Sequence, residues 1–348
     1  MTNIDVNTSM PYQVMMDNGI LTSMGGIIQK LSRASRALVV TDSNVAPLYL
    51  EAAVTSLQDS GLAVSTFVLK AGERSKTLQT VEAIVKTAAE NRLDRRDVIV
   101  ALGGGVVGDL AGFAAAIYLR GIDCVQVPTS LLSLIDSSIG GKTGCDLPSG
   151  KNLVGAFHSP LLVLCDPDCL KTLPQENFAD GISEMIKTAA IKDEKLFKKI
   201  KQGYTTDDLP KLIEQSINIK RVIVEADEFE VAERKLLNFG HTIGHAIECC
   251  QNYNGLSHGQ AVSIGMAMIT KASQNVGLTD MGVYEELTEL LQSQGLPISC
   301  DIPLSDICGA TLSDKKRMAK RLPLVLLRRL GESYIHTIHA ADLEAFLS

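Results

Sequence analysis

Histidines form the first pattern of residues in this chain that could carry chemistry. Three of the six histidines, His241, His245 and His258, fall within one short stretch. Residues four apart share one face of a helix, so His241 and His245 would point the same way. His258 follows a break at residues 252–255 and begins a second predicted helix that can fold back beside the first. Three imidazoles so placed suit Zn²⁺ or a similar divalent ion, whereas satisfied surface histidines are the alternative interpretation.

The spacing of these histidines also excludes a common class of metal site. Thr242 stands where the HExxH motif of zinc peptidases requires glutamate, so a peptidase of that type is disfavoured. A carboxylate must complete the ligand set, since a catalytic divalent ion takes three protein ligands and keeps one position open.

A glycine cluster at residues 103–109 indicates a second kind of site. The stretch reads GGGVVGD, follows a predicted strand and opens a helix, and it satisfies GxGxxG formally. Glycines there let the backbone approach a diphosphate, and the helix N-terminus supplies N–H donors. The loop follows the third predicted strand and no ribose-binding acid ends the next strand, so we predict a variant of the Rossmann pattern. A tight turn without a ligand is the alternative.

A polar loop after residue 128 brings lysines and acids together. It contains Gly-Lys-Thr at residues 141–143, but Asp136 occupies the glycine position that a phosphate-binding P-loop requires, so an NTPase is rejected. What remains is a group of Asp136, Lys142, Lys151 and Asn152. Such lysines suit a phosphorylated, polyhydroxylated ligand, and a solvated loop is the other interpretation.

These residues must be positioned by two different halves of the chain. Strands are predicted at residues 37–42, 63–69, 97–102, 122–127 and 161–166, with helices at 45–60, 77–91 and 108–118. Beyond residue 173 the predicted elements are helices at 178–192, 209–227, 236–250, 259–276, 284–294 and 342–347, with one weak strand signal at 324–327. Alternating strands and helices imply a parallel sheet covered on both faces. We therefore predict an α/β N-terminal domain, a Rossmann-like variant over residues 1–173, followed by a mostly α-helical domain over residues 174–348.

Composition excludes several other classes of protein. The 348 residues are 45% hydrophobic and 21% charged, which is ordinary for a globular protein and excludes disorder and coiled-coil architecture. A net charge of −7 argues against nucleic acid as the main partner. No apolar run is long enough for a membrane span, and no signal peptide is visible. The eight cysteines follow no disulfide or zinc spacing, so we expect a cytoplasmic protein with reduced thiols.

Taken together, the longer motifs resemble the 3-dehydroquinate synthase family. The resemblance covers roughly residues 37–330 in order, and its motifs are GGGVVGD at 103–109, PTSLL at 128–132, DSSIGGKTG at 136–144, GKNLVGAF at 150–157, SEMIK at 183–187, LLNFGHTIGHAIE at 236–248 and HG at 258–259. Membership implies an NAD-binding α/β domain followed by a helical domain that binds metal and substrate, which matches the two halves above.

The resemblance also implies a role for individual residues. It assigns Glu184, His241 and His258 to a divalent metal, and it leaves His245 off the metal as an acid/base. NAD would contact Asp42, Asn44, Glu73, Lys76, Gly104, Gly105, Val106, Val107, Gly108, Asp109, Thr129, Ser130, Lys142, Lys151 and Thr172. Substrate would contact Asp136, Lys142, Lys151, Asn152, Lys187, Lys220, Arg234, Asn238 and the Asp314-Lys315-Lys316 motif, in which the choice between the two lysines stays open. Arg120 would reach the site of a neighbouring subunit, which implies a homodimer.

The implied activity is that of an NAD- and metal-dependent carbon–oxygen lyase, with Zn²⁺ or Co²⁺ as the ion. It would convert 3-deoxy-D-arabino-heptulosonate 7-phosphate to 3-dehydroquinate and phosphate in the shikimate pathway, which leads to chorismate and the aromatic amino acids. Three alternatives stay open: another sugar-phosphate cyclase, a metal-dependent polyol dehydrogenase with His245 as a further ligand, and an inactive NAD-binding regulator.

Overall fold

The computed structural model of the protein describes residues 1–251, 255–315 and 321–348, of which residues 313–315 are described by their backbone. The chain divides into two compact units, Met1–Leu173 and Pro174–Ser348. Among the helices of these described ranges, none has the length and apolar character needed to cross a membrane.

The first unit is built on a seven-stranded sheet. The strands of this unit, seven in the sheet and two in a separate hairpin, are β1 (Thr2–Val6), β2 (Tyr12–Met16), β3 (Arg36–Asp42), β4 (Ala63–Leu69), β5 (Val98–Gly103), β6 (Asp123–Pro128), β7 (Lys142–Leu147), β8 (Gly150–Phe157) and β9 (Leu162–Cys165). The sheet order is β1-β2-β9-β6-β5-β3-β4, with every neighbouring pair parallel except β1–β2. Strands β7 and β8 form a separate antiparallel hairpin. The helices are α1 (Met24–Leu31), α2 (Glu51–Asp59), α3 (Leu78–Glu90) and α4 (Gly105–Ile117).

Helices cover both faces of this sheet. Along β3, Leu38 and Val40 belong to the core cluster that contains residues of α3 and α4. Their neighbours Ala37 and Val39 belong to the cluster that contains residues of α1 and α2. Successive side chains of a strand point to opposite faces, so a central strand buried on both sides reads as one apolar run. The predicted parallel α/β fold is confirmed.

Several elements of the first unit were not predicted, namely β1, β2, α1 and the β7–β8 hairpin. The hairpin lacks an apolar alternation because its strands meet at glycines. A Cβ on Gly155 would lie 2.1 Å from the backbone oxygen of Thr143, and one on Gly144 would lie 2.6 Å from that of Val154. These strands are therefore paired by a close approach of their backbones, which leaves no alternating pattern in the sequence.

The second unit is mostly helical, as predicted. Its helices are α5 (Gln175–Lys192), α6 (Glu194–Lys201), α7 (Leu209–Ala226), α8 (His241–Cys250), α9 (His258–Asn275), α10 (Val283–Ser293), α11 (Leu304–Lys315) and α12 (Leu343–Leu347). The weak strand signal at 324–327 is confirmed and lies within β10 (Arg321–Arg329), but its antiparallel partner β11 (Glu332–His339) was not predicted. Strand β11 alternates exposed and half-buried residues of mixed polarity, so its sequence carries little strand signal.

The continuous helix predicted over residues 236–250 is also wrong. A short 3₁₀ helix, Glu233–Asn238, precedes α8, and the chain turns between them at Gly240 with φ of +78°. This left-handed conformation favours glycine. A Cβ on Gly240 would also lie 2.7 Å from the backbone oxygen of Val262, so the turn lies directly against α9.

Glycines let the start of α8 and the first two to three turns of α9 approach each other closely. A Cβ on Gly265 would lie 2.1 Å from the backbone oxygen of Gly240. A Cβ on Gly244 would lie 3.1 Å from backbone atoms of Ala261 and Val262. Backbone atoms cannot yield as the end of a flexible side chain can, so these positions fix the spacing of the two helices.

We predict that Gly265→Ala destabilises the protein by about 1–3 kcal/mol, because the added methyl group overpacks a backbone contact. Gly309→Ala, within α11, is the matched control. Outside its own helix, a Cβ added to Gly309 would meet no atom of the described residues within 4 Å, so alanine there should stabilise by up to about 1 kcal/mol. Urea unfolding followed by circular dichroism measures both, and equal midpoints for the two variants would contradict the close-approach argument.

Candidate functional site

Three potential ligand atoms converge in the second unit. Glu184 on α5 is 1% exposed, and its Oε1 lies 3.4 Å from Nε2 of His241 and 3.5 Å from Nε2 of His258. The two histidines are the first residues of α8 and α9. The three ligand atoms all lie within 4.8 Å of one another. The structure thus brings together the three residues that the resemblance assigns to a metal.

Helix α5 positions the start of α9 as well as Glu184. The Asp180 carboxylate accepts hydrogen bonds from Ser257 Oγ and from the backbone N–H of Gly259. One turn on, Ser183 Oγ donates to the backbone oxygen of Gly259 at 2.7 Å. A Cβ on Gly259 would lie 2.4 Å from Cα of Asp180, so only glycine permits this approach. The first turn of α9, and with it His258, is therefore held against the helix that carries Glu184.

The second nitrogen of each imidazole has its own partner. Nδ1 of His241 lies 3.1 Å from the backbone oxygen of Phe239, which can only accept, so this nitrogen carries the hydrogen. Nδ1 of His258 lies 3.5 Å from Oε2 of Glu248, a buried carboxylate on α8. In both rings Nε2 is left to face Glu184. Such outer partners fix the orientation of metal-binding histidines.

Burial and charge act differently on the two imidazoles. Burial lowers the pKa of His241 to about 3, so this ring is neutral and offers a lone pair at Nε2. Burial also acts to lower the pKa of His258, but hydrogen bonds to Glu184 and Glu248 outweigh it and raise the pKa to about 10. A divalent ion that binds this ring would displace its proton.

The donor set fits a divalent transition ion. One carboxylate oxygen and two imidazole nitrogens are the donors that Zn²⁺ and Co²⁺ accept in catalytic sites with an open position. The second carboxylate oxygen of Glu184 contacts Nζ of Lys187 at 2.5 Å. This lysine is itself buried, so it offsets part of the charge of Glu184 where water cannot reach.

His245 lies beside this group rather than in it. Its ring centroid is 5.4 Å from that of His241 and 5.9 Å from that of His258, and its side chain is exposed. The ligand atom of His245 lies instead within 4.8 Å of those of Glu248 and His258. His241 and His245 lie on one helix, as predicted, but the Glu184 carboxylate faces only His241.

Further cations of the second unit are buried. Lys220 is 6% exposed and Arg234 is 1% exposed, and Asn238 Nδ2 donates to Oε1 of Glu230 at 2.7 Å. The structure describes Asp314 and Lys315 only as backbone within α11. Lys316, the other lysine of that motif, lies outside the described residues.

A carboxylate organises the loop that leads to Arg234. Asp227 accepts hydrogen bonds from the backbone N–H groups of Val231, Ala232 and Arg234, at 2.9, 2.7 and 3.0 Å. Burial acts to raise the pKa of Asp227, but these three donors outweigh it and keep the pKa below its ordinary value. The guanidinium of Arg234 also donates to the backbone oxygen of Glu228, so the loop fixes both the backbone and the side-chain end of Arg234.

In the first unit the glycine cluster forms a strand–turn–helix. Strand β5 ends at Gly103, Gly104 precedes α4, and Gly105 begins it. A Cβ on Gly105 would lie 3.2 Å from Ser137 Oγ, and one on Gly108 would lie 2.8 Å from Oε1 of Gln126. The glycines thus bring the first turn of α4 against neighbouring segments and leave its N–H groups at a helix N-terminus, a favourable position for a phosphate group. Val106 and Val107 complete that turn.

A buried lysine joins three of the predicted segments of the first unit. Lys76 Nζ contacts Oδ2 of Asp109 and Oδ1 of Asn152, each at 2.6 Å. Lys151, on the same strand as Asn152, lies 3.5 Å from Glu73. Burial acts to lower the pKa of Lys76, but the neighbouring carboxylates, led by Asp109, outweigh it and raise that pKa. The glycine helix, the 73–76 turn and strand β8 therefore meet at one ion-pair group.

The other predicted positions of the first unit lie at the ends of strands and turns. Asp42 ends β3, and its carboxylate accepts from the N–H groups of Asn44 and Val45. Thr129 and Ser130 follow β6, and the Thr129 N–H donates to the backbone oxygen of Gly103. Thr172 contacts the hydroxyl of Tyr49. Asp136 lies in the helical turn Ser133–Ser137, Lys142 begins β7 as an exposed side chain, and Arg120 is exposed after α4.

Sequence reasoning missed four acids that hold the site together, namely Asp180, Asp227, Glu230 and Glu248. One of them left a readable signal. Glu248 lies three residues after His245 and seven after His241, which are helical spacings that place it on the same side of α8. The other three act through backbone groups or through loops, and no spacing rule predicts such contacts.

Comparison with known proteins identifies the family. The 3-dehydroquinate synthase N-terminal model matches residues 66–180, and the 3-dehydroquinate synthase C-terminal model matches residues 181–317. The 3-dehydroquinate synthase of Clostridium botulinum (strain Alaska E43 / Type E3) is 44% identical over 329 residues, which are 93% of this chain and 94% of that protein.

Two solved structures extend the comparison to the whole fold. A 2-deoxy-scyllo-inosose synthase complexed with carbaglucose-6-phosphate, NAD⁺ and Co²⁺ has a TM-score of 0.89 at 26% identity, with 99% of each chain covered. The 2-epi-5-epi-valiolone synthase of Streptomyces hygroscopicus subsp. jinggangensis 5008, with NAD⁺ and Zn²⁺ bound, has a TM-score of 0.88 at 25% identity, with 99% of this chain and 98% of that chain covered. The chain belongs to the 3-dehydroquinate synthase family, as its motifs predict.

Proposed function

We propose that this protein converts 3-deoxy-D-arabino-heptulosonate 7-phosphate to 3-dehydroquinate and inorganic phosphate, with bound NAD and a divalent metal. The observation that carries the proposal is the buried group of Glu184, His241 and His258, in a chain 44% identical to a 3-dehydroquinate synthase. The two structural relatives, crystallised with NAD⁺ and Co²⁺ or Zn²⁺, support the same pair of cofactors.

Glu184, His241 and His258 would hold the metal, and the glycine helix of the first unit would hold the diphosphate of NAD. When bound, the ion would polarise a substrate carbinol and NAD⁺ would take up and return one hydride, so the reaction has no net redox change. Gly105 and Val106 are the first two residues of α4, so their N–H groups lie at a helix N-terminus, which favours an anion. We place the rest of the NAD contacts at Asp42, Asn44, Glu73, Lys76, Thr129, Ser130, Lys142, Lys151 and Thr172.

The buried cations would bind the two anionic groups of the substrate. Lys187, Lys220 and Arg234 are all at least nine-tenths buried, and water screens the attraction between a buried cation and a bound anion only weakly. The substrate offers a carboxylate and a phosphate. The fixed guanidinium of Arg234 suits bidentate contact with either, whereas the lysines act as point charges. Asp136, Lys142, Lys151, Asn152, Asn238 and one lysine of the 315–316 pair complete the proposed set.

We also propose a homodimer in which Arg120 reaches the partner's site. Leu119 and Arg120 have φ of 50° and 69°, conformations uncommon for residues other than glycine, and they precede Gly121. The adjoining Ile117 and Leu119 are 48% and 40% exposed. Apolar side chains beside an outward arginine are typical of a protein interface.

The alternative activities are disfavoured by particular observations. Both other cyclases are only 25–26% identical to this chain, against 44% for the 3-dehydroquinate synthase. A polyol dehydrogenase would use His245 as a further ligand, but His245 lies outside the group around Glu184. An inactive regulator would have no reason to keep both the donor set and its buried cations.

We predict that His241→Ala loses the metal and with it turnover, because it removes one of three ligands. Chelation should abolish the activity of the wild-type protein, and added Zn²⁺ or Co²⁺ should restore it. Phosphate release and metal content measure the two effects. Full metal content in an active His241→Ala protein would refute the ligand assignment.

A second prediction concerns the fate of NAD. Product should accumulate far beyond the NAD supplied, without lasting absorbance of reduced nicotinamide, because the hydride returns to the substrate. Phosphate release and the absorbance of reduced nicotinamide, at roughly 340 nm, can be followed in one cuvette. Stoichiometric accumulation of reduced nicotinamide would favour the dehydrogenase.

A third prediction separates His245 from the metal ligands. His245→Ala should keep its metal and its NAD but lose about 10²–10⁴-fold in kcat, as expected for the loss of a general acid or base. His258→Ala should lose the metal as well. His339→Ala, an exposed histidine on β11, is the matched control and should match the wild type in both measurements. Metal loss in His245→Ala would exclude the proposed acid/base role.

A further inference from the structure

We propose that Glu248 is a positioning residue that orients His258 toward the metal and strengthens its Nε2 as a ligand. The inference deepens the proposed function and rests on it, because it takes the group of Glu184, His241 and His258 as the metal site. No step of the mechanism above uses Glu248.

The imidazole of His258 lies between two buried carboxylates. Its Nε2 is 3.5 Å from Oε1 of Glu184, and its Nδ1 is 3.5 Å from Oε2 of Glu248. Glu184 is 1% exposed and Glu248 is 5% exposed, so neither is available to bulk water. Once an ion has displaced the Nε2 proton, Nδ1–H would stay directed at Glu248 and the lone pair of Nε2 would point at the ion. The ring has one orientation that satisfies both contacts.

His241 shows what is particular about this arrangement. The Nδ1 partner of His241 is the backbone oxygen of Phe239, a neutral acceptor. The partner of His258 is a carboxylate, which withdraws the Nδ1 proton more strongly and makes Nε2 a better donor to a cation. Of the two histidines, only His258 therefore has a donor strength at Nε2 that depends on a side chain, which mutation can replace.

Helix α8 places Glu248 where this contact is possible. Glu248 lies two turns after His241, so one helix supplies a metal ligand at its start and the acceptor for the other histidine near its end. A Cβ on Gly244, which lies between them, would be 3.1 Å from backbone atoms of Ala261 and Val262, so glycine there lets α9 approach the α8 backbone closely. His258 at the start of α9 then lies within reach of Glu248.

A second ion bound by His245, Glu248 and His258 is the competing interpretation, since their ligand atoms also lie within 4.8 Å of one another. It is disfavoured because His258 would then have to give both ring nitrogens to metals and lose both protons. A neutral imidazole keeps one N–H, and a carboxylate is its natural acceptor.

The test measures Zn²⁺ affinity by competition with a chromophoric chelator in four full-length proteins: wild type, Glu248→Gln, Glu248→Ala and Glu289→Gln. Glu248→Ala removes the acceptor and should weaken Zn²⁺ binding about 10–100-fold. Glu248→Gln keeps the size and an acceptor oxygen but loses the charge, so its affinity should fall between the two. Glu289→Gln neutralises an exposed glutamate on α10 that pairs with Lys201, and it should bind as the wild type does.

Two further measurements distinguish a change in the orientation of His258 from a general loss of protein stability. Visible absorption of the Co²⁺-loaded proteins should change in both Glu248 variants and stay unchanged in Glu289→Gln, because it reports the ligands around the ion. Thermal unfolding in excess chelator should give similar midpoints for the wild type and Glu248→Gln. If Glu248→Ala does not fold, the affinity and spectrum of Glu248→Gln decide the question alone.

Each failure has its own signature. Wild-type Zn²⁺ affinity and a wild-type Co²⁺ spectrum in the Glu248 variants would overturn the positioning role. If His241→Ala loses its metal in the same experiments, the assignment of the metal site itself still stands. Retention of metal in His241→Ala would instead refute the proposed site itself. Two Zn²⁺ ions per wild-type chain, reduced to one in Glu248→Ala, would overturn the inference in favour of the second ion.

Discussion

The burial of one carboxylate is the constraint on which the rest of the second unit depends. A carboxylate removed from water is stable only if charges or hydrogen-bond donors surround it, and Glu184 is 1% exposed. Lys187 meets one of its oxygens from the next turn of the same helix, and two imidazoles face the other. These neighbours come from three helices, so the charge of Glu184 can be accommodated only when α5, α8 and α9 are packed together.

Small residues make that packing possible. Gly240, Gly244 and Gly265 bring the start of α8 against α9, and Gly259 brings α9 against α5. Asp180 and Ser183 then fix the beginning of α9 by hydrogen bonds. The polar contacts determine the direction of the histidines, whereas the glycines determine whether their helices can come close enough for any contact.

Much of this organisation could be predicted from the sequence, but the reasons differ from element to element. The central strands were predicted because strands buried on both faces are continuous apolar runs, and β3 and β5 are of this kind. The histidine group was predicted from helical spacing and from its density in the chain. The carboxylate was not, because Glu184 precedes His241 by more than fifty residues and only the family resemblance connected them.

Contacts made through backbone atoms explain most of the failures. The break at Gly240 and the β7–β8 hairpin depend on close backbone approach, and Asp227 acts on N–H groups that every residue except proline possesses. Such interactions leave no periodicity in side-chain polarity. Strand β11 was missed for a related reason, since all its residues are exposed or half-buried.

The position of Asp180 one helical turn before Glu184 has a thermodynamic consequence. A single helix carries one proposed ligand, Glu184, and also anchors the start of α9, which carries another, His258, so the relative placement of these two residues is established by folding itself. The conformational entropy lost in ordering the site then belongs to the folding equilibrium and not to ion capture. In zinc fingers the reverse holds, because the ion organises the chain. In the proposed function, a site ordered in advance would leave more of the ion's binding free energy for its contacts with substrate oxygens.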